Sequence, residues 1–221
     1  MDRKTALIVG ATGLVGGHVL RLLLENAGYG TVKALVRRTT GIKHPKLSEH
    51  LVNFDDPKSL AAIASADDVF CCLGTTIKKA KTREAFYRVD FTYPVLVAKT
   101  CEAAGAGQFL IVTALGANPR SSIFYNRVKG EVEGAIRDIG FKAAHIFRPS
   151  LLLGKRSEKR VMEGLGGAVF RVIAPLMRGP LDKYRPVEAA DVARAMVTTA
   201  LSGRKSSVYE SHQIRQIARG Y

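Results

Sequence analysis

Three glycines, Gly10, Gly13 and Gly16, follow an apolar run over residues 5–9 and open a helical pattern over residues 14–24. A strand, a glycine-punctuated turn and a helix in that order constrain this chain more than any other feature, because each glycine has its own steric task. The first permits a tight turn, the second lets the main chain approach a diphosphate, and the third lets helix pack on strand. The N–H groups of Thr12, Gly13, Leu14 and Val15 are then expected to hold an anion at the positive end of the helix dipole. A glycine-rich turn without a ligand is the plain alternative.

The same rhythm runs on through the chain. Apolar runs at 32–36, 69–73, 109–112 and 143–147 alternate with helical periodicity at 84–104 and 124–139. Strands apolar on both faces imply a parallel sheet covered on both sides, and right-handed crossovers make it doubly wound. The expected class is therefore α/β, a doubly wound parallel sheet of the NAD(P)-binding Rossmann type, as a single domain over 1–221. After Leu153 the rhythm breaks into a Gly- and basic-rich stretch (154–167), a helix (168–177) and a Pro-marked loop (180–186). Residues 154–186 are expected to form a small C-terminal substrate lobe. A helix over 188–201, a short strand over 207–210 and a last helical turn or two complete the pattern.

The end of the second strand bears on cofactor choice, because a carboxylate there accepts from a ribose 2′-hydroxyl and repels a 2′-phosphate. Here stand Arg37 and Arg38. Two guanidinium groups suit a phosphate, which favours NADP(H) over NAD(H), although a solvated basic turn has the same composition. Phe54 and Asp55, after the third strand, are expected near the adenine, with Asp55 accepting from its amino group; a plain surface loop is the alternative. Leu73, Gly74 and Thr75 end the fourth strand, where a glycine gives ribose and phosphates room.

Tyr125 and Lys129 stand at i and i+4, on one face of a helix. A phenol with an ordinary pKa of about 10 is a poor acid at neutral pH. A cation at about 4 Å, in an effective dielectric of about 20, contributes on the order of 4 kcal/mol toward the phenolate. Thr113 ends the fifth strand twelve residues before Tyr125, where a hydroxyl can orient a substrate carbonyl. Hydride from a nicotinamide, a proton from Tyr125, a hydrogen bond from Thr113 and a ribose contact from Lys129 complete a carbonyl reduction. A chance Tyr-x-x-x-Lys and an ordinary β-branched strand residue are the plain alternatives.

Charge and composition narrow the partners. Lys and Arg outnumber Asp and Glu by 34 to 19, a formal +15, which raises a polyanion partner. No zinc-finger, RNP or helix-turn-helix pattern accompanies the charge, so a basic surface favouring an anionic cofactor or substrate is preferred to nucleic-acid binding. No apolar window reaches the 18 to 20 residues or so that span a bilayer, so no membrane partner is expected. Cys71 and Cys72 point to opposite faces of a strand and Cys101 stands in a helix, a pattern of neither metal site nor disulfide framework. His18, His44, His50, His145 and His212 show no metal spacing and are expected to be structural or surface residues. With no room for a secretion signal before the first strand, secretion is not expected, and cysteines without a disulfide framework lead to the expectation of a reducing cytoplasm.

These residues resemble the atypical, extended-type short-chain dehydrogenases/reductases, most closely the Tat-interacting-protein oxidoreductase branch and its bacterial relatives. Beyond the glycine turn and Arg37-Arg38, the likeness runs through residues 70–76, Tyr87-Arg-Val-Asp90, Ser121-Ser122 before Phe124-Tyr125, residues 128–131 and Arg148-Pro149-Ser150. It implies NADPH as ligand, with Pro149 and Ser150 near the nicotinamide and Arg160 reaching a cofactor phosphate. Two positions depart from the wider pattern. Thr113 stands where Ser is usual, and Asp90 stands where many relatives place an Asn that holds a relay water.

The branch also holds members regarded mainly as regulatory or protein-binding. The expected activity is reduction of a small carbonyl compound or oxidation of an alcohol. The alternative is an NADPH-binding redox sensor or protein-interaction scaffold with little or no turnover. The helices at 84–104 and 124–139 offer a surface for a homodimer, and a monomer is equally compatible.

Overall fold

The computed structural model describes residues 3–154 and 179–220. Its strands are β1 (Lys4–Val9), β2 (Tyr29–Val36), β3 (Leu47–Leu51), β4 (Asp68–Cys71), β5 (Gln108–Val112), β6 (Ala143–Arg148), β7 (Leu152–Leu153), β8 (Val187–Glu188) and β9 (Ser207–Glu210). Seven of these form one parallel sheet in the order β3-β2-β1-β4-β5-β6-β9. The order reverses between β1 and β4, which opens a crevice beyond the carboxyl ends of those two strands.

Side chains alternate across the sheet and build two cores. Ala6, Ile8, Phe70, Leu110 and Phe147 face a layer made by α1 (Leu14–Glu25), α7 (Ala189–Leu201) and α8 (Ser211–Ala218). Leu7, Val9, Val69, Phe109 and Ile111 face the opposite layer. There the cover is α2 (Pro57–Ala61), α5 (Tyr93–Ala103) and α6 (Phe124–Arg137). Cys71 joins this second core and Cys72 packs against the first, as strand alternation requires. This is the doubly wound Rossmann arrangement that the βα rhythm implies.

Element ends differ from the sequence expectation where partners decide them. β2 begins at Tyr29, because the Tyr29 hydroxyl is drawn inside to donate to Asp68 at 2.7 Å. Asp68 also receives Lys4 at 3.0 Å and Gln108 at 3.0 Å, so one buried carboxylate ties β1, β2, β4 and β5 at their amino ends. β4 stops at Cys71, leaving Leu73 in the following loop. Residues 84–104, expected as one α-helix, are instead α4 (Arg83–Tyr87), a π-helical turn (Arg88–Thr92) and α5. The cause is Pro94 near the start of α5: it has no N–H for the carbonyl four residues back, and the wider turn accommodates its ring. The Tyr93 N–H accordingly reaches the Arg88 carbonyl, five residues behind it. A short helix, α3 (Ile77–Ala80), precedes α4.

The expected helix at 168–177 lies outside the described residues. Of the loop at 180–186, a 3-10 turn (Gly179–Tyr184) is described. β7 and β8 pair in parallel as a separate two-stranded sheet.

His145 is fully buried on β6, stacked on Tyr209 with ring centroids 6.0 Å apart, and both of its ring nitrogens lack a hydrogen-bond partner. Burial, with a smaller push from Arg204, lowers its pKa from 6.5 to about 4. The folded form therefore refuses a proton that the unfolded chain accepts, and stability falls as pH drops from 6.5 toward 4. His145→Leu is expected to flatten that part of the curve and to leave the protein at least as stable at neutral pH. Thermal denaturation of both proteins across this window checks it; parallel curves would refute it.

Candidate functional site

The glycine turn after β1 is built on missing side chains. Gly10 has φ +81°, and a Cβ there would lie 2.4 Å from the Cys72 carbonyl oxygen. A Cβ at Gly16 would lie 2.1 Å from the Gly10 carbonyl oxygen. Loop, helix and neighbouring strand end are thus locked backbone to backbone. At Gly13 a Cβ would be tight, 3.1 Å from the same oxygen, and the Gly13 N–H, expected to be free for an anion, instead donates to that oxygen at 2.9 Å to close the turn. No side chain caps α1 at Gly13 and no acid occupies its first turn, so the helix start presents uncapped N–H groups and the positive end of its dipole to the crevice.

The catalytic candidates come from α6. Tyr125, Lys129 and Glu133 repeat every four residues and share one face of the helix. The helix is held close to the loop after β5, since a Cβ on Gly130 would lie 2.2 Å from the Pro119 nitrogen. Tyr125 packs on the buried ring of Phe86, centroids 5.6 Å apart. Lys129 is buried and its Nζ lies 2.8 Å from Oδ1 of Asp90, itself buried in the π-helical turn. Burial disfavours the ammonium, but the Asp90 carboxylate, followed by Tyr125, outweighs it and raises the Lys129 pKa above its ordinary value. The other carboxylate oxygen of Asp90 accepts the Thr75 N–H at 2.9 Å.

Glu133, 1% exposed, is the second buried carboxylate of the site. Arg148 Nε donates to it at 2.9 Å and an Arg148 terminal nitrogen closes a second contact. The Thr113 hydroxyl donates to Glu133 Oε1 at 2.7 Å.

A cleft of about 620 Å³ gathers much of the expected site. Gly13, Leu14 and Val15 form one wall, Leu73, Gly74 and Thr75 another, and Thr113, Tyr125 and Lys129 a third. Asp90, Lys79 and Leu152 complete the lining on which the chemistry depends. Other expected residues lie elsewhere. Gly10 and Gly16 act behind the wall, in the backbone contacts described, and Thr12 is exposed at the turn. Arg37 and Arg38 are exposed just past β2.

Phe54 and Asp55 belong to a separate groove, where Phe54 stacks on Tyr93 at 5.3 Å and the Tyr93 hydroxyl donates to Asp55 at 2.9 Å. The Pro149 carbonyl accepts the Leu115 N–H at 2.9 Å, and the Ser150 hydroxyl donates to the Arg185 carbonyl at 2.6 Å. Arg160 lies outside the described residues. Thr113 reaches the cleft, but its single hydroxyl proton is directed at Glu133, which changes what it can offer a substrate. Glu133 escaped sequence reasoning; its signal was a carboxylate eight residues after Tyr125, on the face that also carries Val128, Val132 and Ile136.

Comparison with known proteins bears directly on this crevice. A family model described as NAD(P)H-binding matches residues 10–152, beginning at the first glycine of the turn. The chain belongs to that family. Within it, this is an atypical short-chain dehydrogenase/reductase of Rossmann type. Protein HTATIP2 of Rattus norvegicus is 33% identical over 77% of this chain and 72% of its own length. "Protein FMP52, mitochondrial" of Eremothecium gossypii is 33% identical over 92% of this chain and 91% of its own. The protein of the same name from Coccidioides immitis is 29% identical over 98% and 93%.

Among solved structures, the Bordetella bronchiseptica enzyme WbmH in complex with NAD+ superposes with a TM-score of 0.70 at 18% identity, covering 99% of this chain and 80% of that one. MoeE5, in complex with UDP-glucose and NAD, gives 0.67 at 17% identity, covering 97% and 80%. These two share the fold. The family is of NAD(P)-binding, oxidoreductase type, and the glycine cradle with its uncapped helix start fits the diphosphate of such a cofactor. The expectation of a cytoplasmic protein does not stand, because relatives matched over nearly the whole chain are named mitochondrial.

Removing Glu133 strands Arg148 and frees Thr113, so Glu133→Ala is expected to cost about 3 kcal/mol of stability. Glu133→Leu combined with Arg148→Leu is expected to restore most of it, because an apolar pair replaces the charged one. Urea denaturation of the three proteins measures both effects; equal losses in single and double variants would contradict the account.

Proposed function

We propose that the chain is an NADP(H)-dependent oxidoreductase that reduces a small carbonyl compound, or oxidises the corresponding alcohol, with Tyr125 as the acid/base. One observation carries this assignment: Tyr125 and Lys129 line the same cleft as the uncapped start of α1 and the Leu73-Gly74-Thr75 loop. When bound, the cofactor supplies hydride chemistry at the carbonyl carbon. The N–H groups of Leu14 and Val15 hold the diphosphate, and Gly74 leaves room beside the ribose. Exposed Arg37 and Arg38, at the end of the strand next to β1, support a 2′-phosphate over a free 2′-hydroxyl. Tyr125 gives its proton to the carbonyl oxygen during reduction and takes one from the alcohol during oxidation. Lys129 orients the phenol and contacts the ribose. Thr113, its proton directed at Glu133, offers the substrate a lone pair rather than a donor.

That last feature favours a second function, a cofactor-binding redox sensor or scaffold with little turnover. The names of the fungal relatives support a mitochondrial setting for either.

Tyr125→Phe is expected to lower carbonyl reduction by about 100-fold or more across a panel of aldehydes and ketones while leaving NADPH affinity within about threefold. Wild-type protein that binds NADPH but reduces nothing in the panel would favour the sensor, and no calorimetric signal with NADPH would sink both. Replacing Arg37 and Arg38 by Ala is expected to weaken NADPH binding by about 10- to 100-fold and to leave NADH binding unchanged. Isothermal titration with both cofactors checks the difference, and parallel losses would refute the 2′-phosphate contact.

A further inference from the structure

Helix α8 grips the chain just before each strand of the small β7–β8 sheet. It does so with two buried residues four apart on one face, Ser211 and Arg215. The Ser211 hydroxyl oxygen accepts the Ser150 N–H at 2.8 Å, ahead of β7. Arg215 holds the turn ahead of β8. One of its terminal nitrogens donates to the Arg185 carbonyl at 3.1 Å, and the other to the Asp182 carbonyl at 2.9 Å and to the Asp182 carboxylate. The two holds are tied to each other, because the Ser150 hydroxyl donates to the same Arg185 carbonyl at 2.6 Å.

The sheet held in this way forms part of the cleft wall. The Val187 N–H donates to the Leu151 carbonyl at 2.9 Å and Leu152 pairs with Val187, so the turn ahead of β8 sets where Leu152 stands. Leu152 lines the cleft together with Leu14, the first residue of α1. Just past β7 the chain lies on Leu14, since a Cβ on Gly154 would come within 2.9 Å of Leu14 Cδ1. Contacts therefore run without a break from the guanidinium of Arg215 to the two leucines that face the cleft.

We propose that Arg215 is a positioning residue for the nicotinamide cofactor: by fixing the turn ahead of β8 to α8, it holds Leu152 and the end of β7 against Leu14 and so sets the wall on which the cofactor packs. The proposal rests on the cleft being the cofactor's. A guanidinium suits the task, because its donors form one rigid planar fork and three acceptors of a single turn converge on it; an ammonium offers no such fork. Coupling of this kind is reciprocal, so a cofactor seated on the wall also tightens the clamp.

The test is calorimetric titration of NADPH into the full-length protein and its variants. Arg215→Met keeps an apolar stem and removes the fork, and is expected to weaken NADPH binding about tenfold. Leu152→Ala cuts into the wall itself and is expected to weaken it by a similar factor, about tenfold. The double variant Arg215→Met/Leu152→Ala is expected to stay within about twofold of the weaker single variant, because both changes act through one wall. Amide hydrogen exchange at Val187 gives a second readout: saturating NADPH is expected to slow it about tenfold in the wild type and to leave it unchanged in Arg215→Met. An arginine that only stabilised the fold would leave that NADPH effect in place.

Should Arg215→Met fail to fold, Arg215→Lys keeps the charge and the stem, and is expected to weaken NADPH binding about threefold. Affinity within about 1.5-fold of the wild type in the folded Arg215 variant, or losses that multiply to about 100-fold in the double variant, would overturn the proposal. Leu152→Ala with unchanged affinity would show that the cofactor does not reach this wall, which sinks the cleft assignment along with the clamp. A weakened Leu152→Ala beside an unaffected Arg215 variant overturns the clamp alone.

Discussion

The structure depends on the absence of a side chain at Gly10 and Gly16. With 2.1 Å separating a Cβ on Gly16 from the Gly10 carbonyl oxygen, and 2.4 Å separating one on Gly10 from that of Cys72, no other residue fits at either place without moving backbone. That seam joins β1, α1 and the end of β4, which are the elements on either side of the sheet's reversal. It decides where α1 begins, and therefore where its uncapped N–H groups point. The crevice follows from this contact rather than from any charged residue, which is why its floor is backbone and its specificity rests with side chains on other elements.

Three buried carboxylates then set those elements. Asp68 ties the strand starts together through Lys4, Tyr29 and Gln108. Asp90 joins the π-helical turn to α6 and to the loop after β4. Glu133 joins α6 to β5 through Thr113 and to β6 through Arg148. Burying an ion pair gains little net stability, since desolvation offsets most of the attraction, but leaving one partner alone is costly. Such pairs therefore penalise misplacement more than they reward folding. Two of the three meet at α6, the helix that carries Tyr125, so they fix where that helix sits.

This division also explains what could be read from the chain. The βα rhythm is local: apolar runs and helical periodicity identified the sheet class, and the short strand at 207–210 matches β9 residue for residue. The glycine turn was legible because its three glycines stand in a short local pattern between strand and helix, although the contact of Gly10 with Cys72 is made across the fold. The pairings of Asp90 and Glu133 were not, because the partners lie across the fold: Lys129 is on α6, Thr113 just past β5 and Arg148 on β6, and no spacing rule links them. Pro94 was visible, yet its consequence needed three dimensions, since only in the folded chain does the widened turn at Arg88–Thr92 bring Asp90 inward. Location failed for another reason. Unpaired cysteines describe thiol chemistry, not an address.

The interior ion pairs leave the net charge to the surface. Each of the three takes one basic and one acidic residue from the 34 and the 19, so the formal +15 is undiminished outside them. Exposed Arg37 and Arg38 just past β2, and Lys79 at the cleft, thus stand in a field that attracts anions, whereas Lys129, buried in the cleft, is paired with Asp90. Positive charge therefore has two tasks here: at the surface it is uncompensated and draws anions in, and in the interior it is paired and fixes α6 against the π-helical turn.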